Sequence, residues 1–112
     1  MNLAEVHDAT ATAELLLYEE LAFCNPGEGG RLIDEGHTRL GGRLPVNTSG
    51  GLISKGHPIG ATGMAQIYEV YEQLHGGAGE RQVKGAKVGL TETGGGMIRG
   101  ETGAVAIHIL SV

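Results

Sequence analysis

"NTSGGLISKGHPIGATG", Asn47 to Gly63, sets one histidine directly before a proline in a glycine-rich segment, and an apolar periodic run follows it. Met64, Ile67, Tyr68, Tyr71 and Leu74 recur at helical spacing, while Gln66, Glu69 and Gln73 fall on the opposite side. The spacing predicts a helix over 59–75 with the apolar stripe inward. Proline favours the first helical turn, so Pro58 marks the start and His57 stands at or beside the N-cap. There the helix dipole disfavours protonation of the ring. A neutral imidazole in that place can donate to a developing oxyanion or take a proton from a nucleophile. Gly56, Gly60 and Gly63 leave the backbone uncovered for close approach of a ligand. The plainer alternative is a capped helix with an exposed histidine. A nucleotide loop is disfavoured, because neither GxxxxGK[ST] nor a strand followed by GxGxxG is present.

Outward from this stretch, Leu3 to Val6 reads as a short strand. "TATAELLLYEELAF" carries Ala13, Leu16, Leu17, Leu21 and Phe23 near helical spacing, which predicts a helix over 11–23 capped by Thr10. Residues 24–45 show no sustained period and read as a long surface excursion. A short extended piece surrounds Val46. "AKVGLTE" and "AVAIHIL" read as two β segments whose connection, "TGGGMIRGETG", is too long for a two-residue hairpin turn. The order β, α, loop, β, α, β, β predicts an α/β layered domain, one unit over residues 1–112.

The chain has 112 residues and a net charge of −5, without a basic run interleaved with aromatics, so nucleic acid is not an expected partner. The single cysteine, Cys24, excludes an internal disulfide and reads as a buried structural thiol in the apolar run "LAFC". No segment approaches the ~18 apolar residues of a membrane span, and no leader is recognisable at the start, so a soluble cytoplasmic protein is expected. His7, His37, His57, His75 and His108 lack close ligand spacing, so no metal is expected.

The segment Asn47–Gly63 resembles the thiolase signature NxxGGxxxxGHPxGxxG. "VHDATATAELLLYEELAF" is similar to the loop and helix before that signature, and "GAKVGL" with "GAVAIHIL" to the closing strands. The resemblance extends over essentially the whole chain, and His7-Asp8 points to the SCP-x and lipid-transfer branch. It implies part of a thiolase C-terminal domain: a layered mixed β-sheet with helices packed on it. It also implies acyl-CoA chemistry with the CoA thioester as substrate and no bound cofactor. By resemblance, His57 activates the nucleophile and helps stabilise the thioester oxyanion, and His7 is a second oxyanion-site group. Ser49, Gly50, Gly56, Pro58 and Gly60 are then the substrate-binding turn.

Neither cysteine of the family's pair has a counterpart here. The segment that carries the nucleophile is absent, "TETGGG" stands where many members have CxG, and "HDAT" where SCP-x-like members have HDCF. Glu92 is the candidate replacement acid or base; otherwise it is a solvated acid in a glycine loop. The expectation is an enzyme component whose site is completed by a thiolase-like N-terminal partner or missing half, or by a homo-oligomer. The alternatives are a retro-aldolase subunit acting on a CoA thioester, a non-catalytic acyl-CoA-binding or assembly module, and a truncation.

Overall fold

A computed structural model describes the backbone of residues 1–112 and every side chain except that of Glu101. Strand β1 (Leu3–Glu5) lies in the middle of the packing. On one edge it pairs in parallel with β2 (Val88–Ile98), with Leu3 opposite Gly89 and Glu5 opposite Thr91. On the other edge Ala4 bridges to Val46. Because side chains alternate across a strand, β1 serves two cores. Ala4 and the following Val6 join Tyr18, Phe23, Leu32, Val46 and Leu90, beneath α1 (Ala11–Glu20) and α2 (Gly29–Asp34). Leu3 faces the other way and joins Val70, Leu74, Val83 and Ala86, under α4 (Thr62–His75). Helices therefore cover both faces of β1 and of the first half of β2 in a mixed three-stranded sheet ordered β1-β2-β3, the expected α/β class, while β3 stays largely exposed. Among the described residues no helix is long and apolar enough to cross a membrane.

Thr10 caps α1 as expected, its hydroxyl accepting from the Ala13 N–H at 3.1 Å. The helix stops at Glu20 rather than Phe23 because Ala22 takes a left-handed conformation (φ 56°), which turns Phe23 into the first core. The excursion over 24–45 is not all irregular: α2 forms in it and buries Leu32. The glycine-rich segment likewise contains a five-residue helix, α3 (Gly51–Lys55). Both were hidden because elements of six and five residues hold fewer than two helical turns, too few for a periodic pattern to repeat.

Two larger expectations fail. The connection between the last strands is itself strand: β2 and β3 (Glu101–Ser111) pair antiparallel from Val88↔Ser111 to Ile98↔Glu101. They are joined by a two-residue turn in which Arg99 (φ 54°) and Gly100 (φ 88°) both take positive φ, the backbone that two-residue hairpins require. Glycines carry no alternating pattern, so the ladder through Gly94–Gly96 left no trace in hydropathy.

The second failure is α4, which begins at Thr62 rather than Ile59 and is turned over relative to its apolar stripe. Gln66, Glu69 and Gln73 are almost fully buried, while Met64 and Tyr68 are 66% and 62% exposed. The buried amides are satisfied. Gln66 Nε2 donates to the Glu92 carbonyl (2.9 Å), Gln73 Nε2 to the Arg81 carbonyl (2.7 Å), and the Val83 N–H to Gln73 Oε1 (2.7 Å). Glu69 takes an ion pair from Arg81 at 2.9 Å. Val70 packs so closely on β2 that a Cβ at Gly89 would lie 2.5 Å from its Cγ1.

Replacing Gln73 with Leu should therefore lower stability by about 1–3 kcal/mol, because the Val83 N–H and Arg81 carbonyl lose their buried partner. Tyr68→Ala on the outward stripe should stay within about 0.5 kcal/mol. Urea unfolding of the two variants checks the inverted helix, and the reverse ranking would refute it.

Candidate functional site

Beyond β1 the chain runs Val6-His7-Asp8, and Asp8 fixes what comes next. Its buried carboxylate accepts from the Leu52 N–H (2.6 Å) and the Ile53 N–H (3.4 Å), occupying the first turn of α3. Gly51 makes room for it: with φ 64°, a Cβ there would sit 2.1 Å from Asp8 Oδ2. This contact binds the start of α3 to the residue next to His7. At the far end of α3, Gly56 (φ 89°) turns the chain so that His57 faces back.

The two histidine rings meet edge to face, centroids 4.8 Å apart at 89°. His57 is not at the N-cap of α4, a place taken by Ala61. It precedes a turn in which the Pro58 carbonyl accepts from the Ala61 and Thr62 N–H groups (2.8 and 3.0 Å). The ring meets the helix through a side chain instead: Nδ1 lies 2.7 Å from Thr62 Oγ1, whose own hydroxyl donates to the Pro58 carbonyl at 3.2 Å. With that proton committed, Nδ1–H is the donor to Thr62, and a neutral ring keeps its lone pair on Nε2.

Glu92 completes the cluster from β2. It is 2% exposed, and its Oε2 accepts from the His7 N–H at 3.0 Å. It is neither solvated nor in a loop. Burial pushes its carboxyl above the usual range, against the lowering effect of that hydrogen bond. Burial pushes the His7 ring down, the neighbouring His57 adds to this, and Asp8 opposes it. His7 Nδ1 is enclosed without a hydrogen-bond partner among the described residues. Two residues that the sequence pattern did not mark hold the strand here. Gln66 grips the Glu92 carbonyl and accepts from the Thr93 hydroxyl. Gln66 read as a polar position on an amphipathic helix and Thr93 as part of the connection between the last strands, so neither carried a signal.

His7, His57, Thr62 and Glu92 form the polar end of a cavity of about 870 Å³. The rest of its wall is mostly apolar, with Ala9, Ala13 and Leu16 from α1 and the turn before it and Gly94–Gly96 and Met97 from β2, while Glu20 adds a further carboxyl. Gly56, Pro58 and Gly60 are exposed beside His57 rather than in the cavity wall. Ser49 and Gly50 lie at the opposite end of α3, where Ser49 is bound by Glu5. Cys24 is half-buried, not fully buried, and lines a separate cleft of about 450 Å³ with Arg31 and Arg43. Burial raises its thiol pKa, with Glu19 and Glu28 adding to the shift. His108 is exposed on β3 and within 3.3 Å of the Thr91 hydroxyl.

Residues 1–109 match the family profile described as "Thiolase C-terminal domain-like". The chain is 50% identical over 111 residues to an acetyl-CoA acetyltransferase of Methanothermobacter thermautotrophicus, covering 99% of this chain and 28% of that protein. It is 56% identical over 90 residues to sterol carrier protein 2 of Rattus norvegicus, covering 80% of this chain and 16% of that one. Among solved structures it superimposes on a chain of an "Ltp2-ChsH2(DUF35) aldolase" with a TM-score of 0.80 and 28% identity, over 97% of this chain and 26% of that chain. The chain thus spans little more than a quarter, or less, of each protein it resembles.

A carboxyl whose folded pKa is raised contributes stability that is present at low pH and lost as pH rises through the folded value. Glu92 therefore carries a penalty at neutral pH that Gln would not. Glu92→Gln should raise the unfolding midpoint at pH 7, and the gain should shrink as pH falls toward 4.5. Thermal melts across that range check the sign, and a variant less stable at pH 7 would refute the buried placement.

Proposed function

The chain belongs to the thiolase family, as its C-terminal domain-like part, and on that premise we propose that it supplies half of a site that makes or breaks a carbon–carbon bond beside a CoA thioester. The observation that carries this reading is the meeting of the His7 and His57 rings, with the buried Glu92 carboxyl bound to the His7 backbone N–H, at the polar end of a mostly apolar cavity. A thioester carbonyl entering that end comes against the His7 ring, from which an N–H stabilises developing negative charge, while His57 presents the lone pair of Nε2 as a base. The acyl chain lies along Ala9, Ala13 and Leu16. Coenzyme A is part of the substrate, not a resident cofactor. The remainder of the site comes from another thiolase-like chain, a further part of the same protein, or a second copy.

Two reactions share this geometry. In thiolysis an acyl-cysteine forms, and its thiol would come from outside these residues, since Cys24 sits in the separate cleft. His57, with its free Nε2, would then take the thiol proton. In retro-aldol cleavage no nucleophile is required. A base removes the proton of the 3-hydroxyl, the C2–C3 bond breaks, its electron pair passes into the thioester enolate, and an acid returns a proton to C2. Glu92 favours the retro-aldol reading, because a buried carboxyl with a raised pKa holds a proton closer to neutrality and can deliver it. The similarity to an aldolase structure supports the same reading.

The test is to purify the tagged chain from its native cells together with whatever accompanies it. The preparation is then offered a 3-ketoacyl-CoA plus CoA, or a 3-hydroxyacyl-CoA, in separate assays. Turnover of the hydroxy substrate, lowered about 10²–10³-fold by His57→Ala, is expected. Glu92→Gln should lower it by a factor of about 10² or more. Cleavage of the keto substrate alone would select thiolysis. Unchanged turnover in both variants, or binding of CoA thioesters without turnover, would overturn the catalytic reading in favour of a binding or assembly role.

A further inference from the structure

His57 is delivered by a helix of five residues, and a helix so short has no stability of its own. Asp8 secures its first turn. The other anchor is Glu5, at the end of β1 and 1% exposed. Its Oε1 accepts from the Ser49 N–H at 3.0 Å, and its Oε2 from the Ser49 hydroxyl at 2.5 Å. Lys55, the last residue of α3, reaches back over the helix: its Nζ lies 2.5 Å from Ser49 Oγ and 3.6 Å from Glu5 Oε2. One carboxylate thus holds the entry to α3 through Ser49 and its exit through Lys55, and His57 follows two residues after that exit. Thr48 links the cluster to α4, its hydroxyl lying 3.3 Å from Glu5 Oε1 and 3.2 Å from Glu69 Oε1. Gln73 and Arg81 complete the surroundings through their bonds to Thr48 and Glu69.

We propose that Glu5 is a positioning residue for His57: acting through Ser49 and Lys55, it staples the two ends of α3 and so fixes where the His57 ring meets His7. The residue touches neither the cavity nor the histidines, and it acts only through the short helix. Its importance for turnover rests on the catalytic reading of His57 given above, whereas its effect on the position of His57 does not.

The experiment separates the two. The purified chain is prepared as Glu5→Gln, which keeps an acceptor for Ser49 but removes the charge facing Lys55. Lys55→Met opens the same staple from the exposed side and covers the case in which Glu5→Gln does not fold. Glu69→Gln is the control, because it shares Thr48 but contacts neither Ser49 nor Lys55. Amide hydrogen exchange over Leu52–His57 and the His7–His57 ring contact by NMR are measured in each. Both staple variants should speed exchange in that segment about tenfold or more, the change expected from loss of one charge-assisted hydrogen bond. They should also weaken the ring contact while α4 amides keep their protection, and Glu69→Gln should leave the segment unchanged. In the assembled preparation, kcat should fall with little change in KM. Unchanged exchange in Lys55→Met and Glu5→Gln, or equal loosening by Glu69→Gln, overturns the proposal. Loosened exchange with turnover unaffected by either Glu5→Gln or His57→Ala leaves the positioning role standing and removes the catalytic reading instead.

Discussion

The polar side of α4 lies inward, and a helix can bury amides and a carboxylate only if each finds a partner of fixed geometry. Here the two amides find backbone groups of the elements around the helix, and the carboxylate finds side chains. Gln66 holds the carbonyl of Glu92 on β2, Gln73 holds the turn at Arg81–Val83, and Glu69 takes Arg81 and the hydroxyl of Thr48. These bonds are directional, so they fix the rotation and height of α4 more tightly than an apolar face would. The register of β2 against the helix follows, and with it the level at which Glu92 enters the cavity.

The second constraint comes from β1. Its residues and the three that follow point to different tasks: Leu3 to one core, Ala4 and Val6 to the other, Glu5 to Ser49, His7 to the cavity, Asp8 to α3. A six-residue segment thereby ties together both cores and the turn that carries His57. The two acids bracket His7, and both act on α3, so the distance between the histidines is set by a strand held on both edges rather than by a loop. Catalytic groups need that kind of support, since small misplacements cost rate steeply.

The site itself runs against stability. Among the described residues Glu92 is buried without a cation, His7 is held away from its protonated form, and His7 Nδ1 lacks a partner. Each is unfavourable for a fold and useful for chemistry, where a carboxyl that retains its proton and a ring that stays neutral are the groups that exchange protons near neutral pH. The outward Met64, Tyr68 and Tyr71, and the exposed Val105, Ile107 and Ile109 of β3, are likewise unfavourable in water.

Sequence alone determined what local chemistry can encode. Thr10 caps α1, α4 ends at His75 before Gly76, the order of strands and helices gives an α/β class, and the GHP segment identifies the family. Tertiary structure decided the rest. Periodicity shows that α4 has two faces but not which one is inward; that depended on backbone partners outside the helix, at Arg81 and Val83 just past its end and at Glu92 on β2. The hairpin through Gly94–Gly96 is set by pairing across strands, which glycine hydropathy cannot record. The burial of Glu92 and its bond to the His7 N–H span 85 residues, and the edge-to-face pairing of His7 with His57 spans the whole glycine-rich turn. Contacts of that range leave no local pattern, because nothing in either neighbourhood depends on the other until the chain has folded.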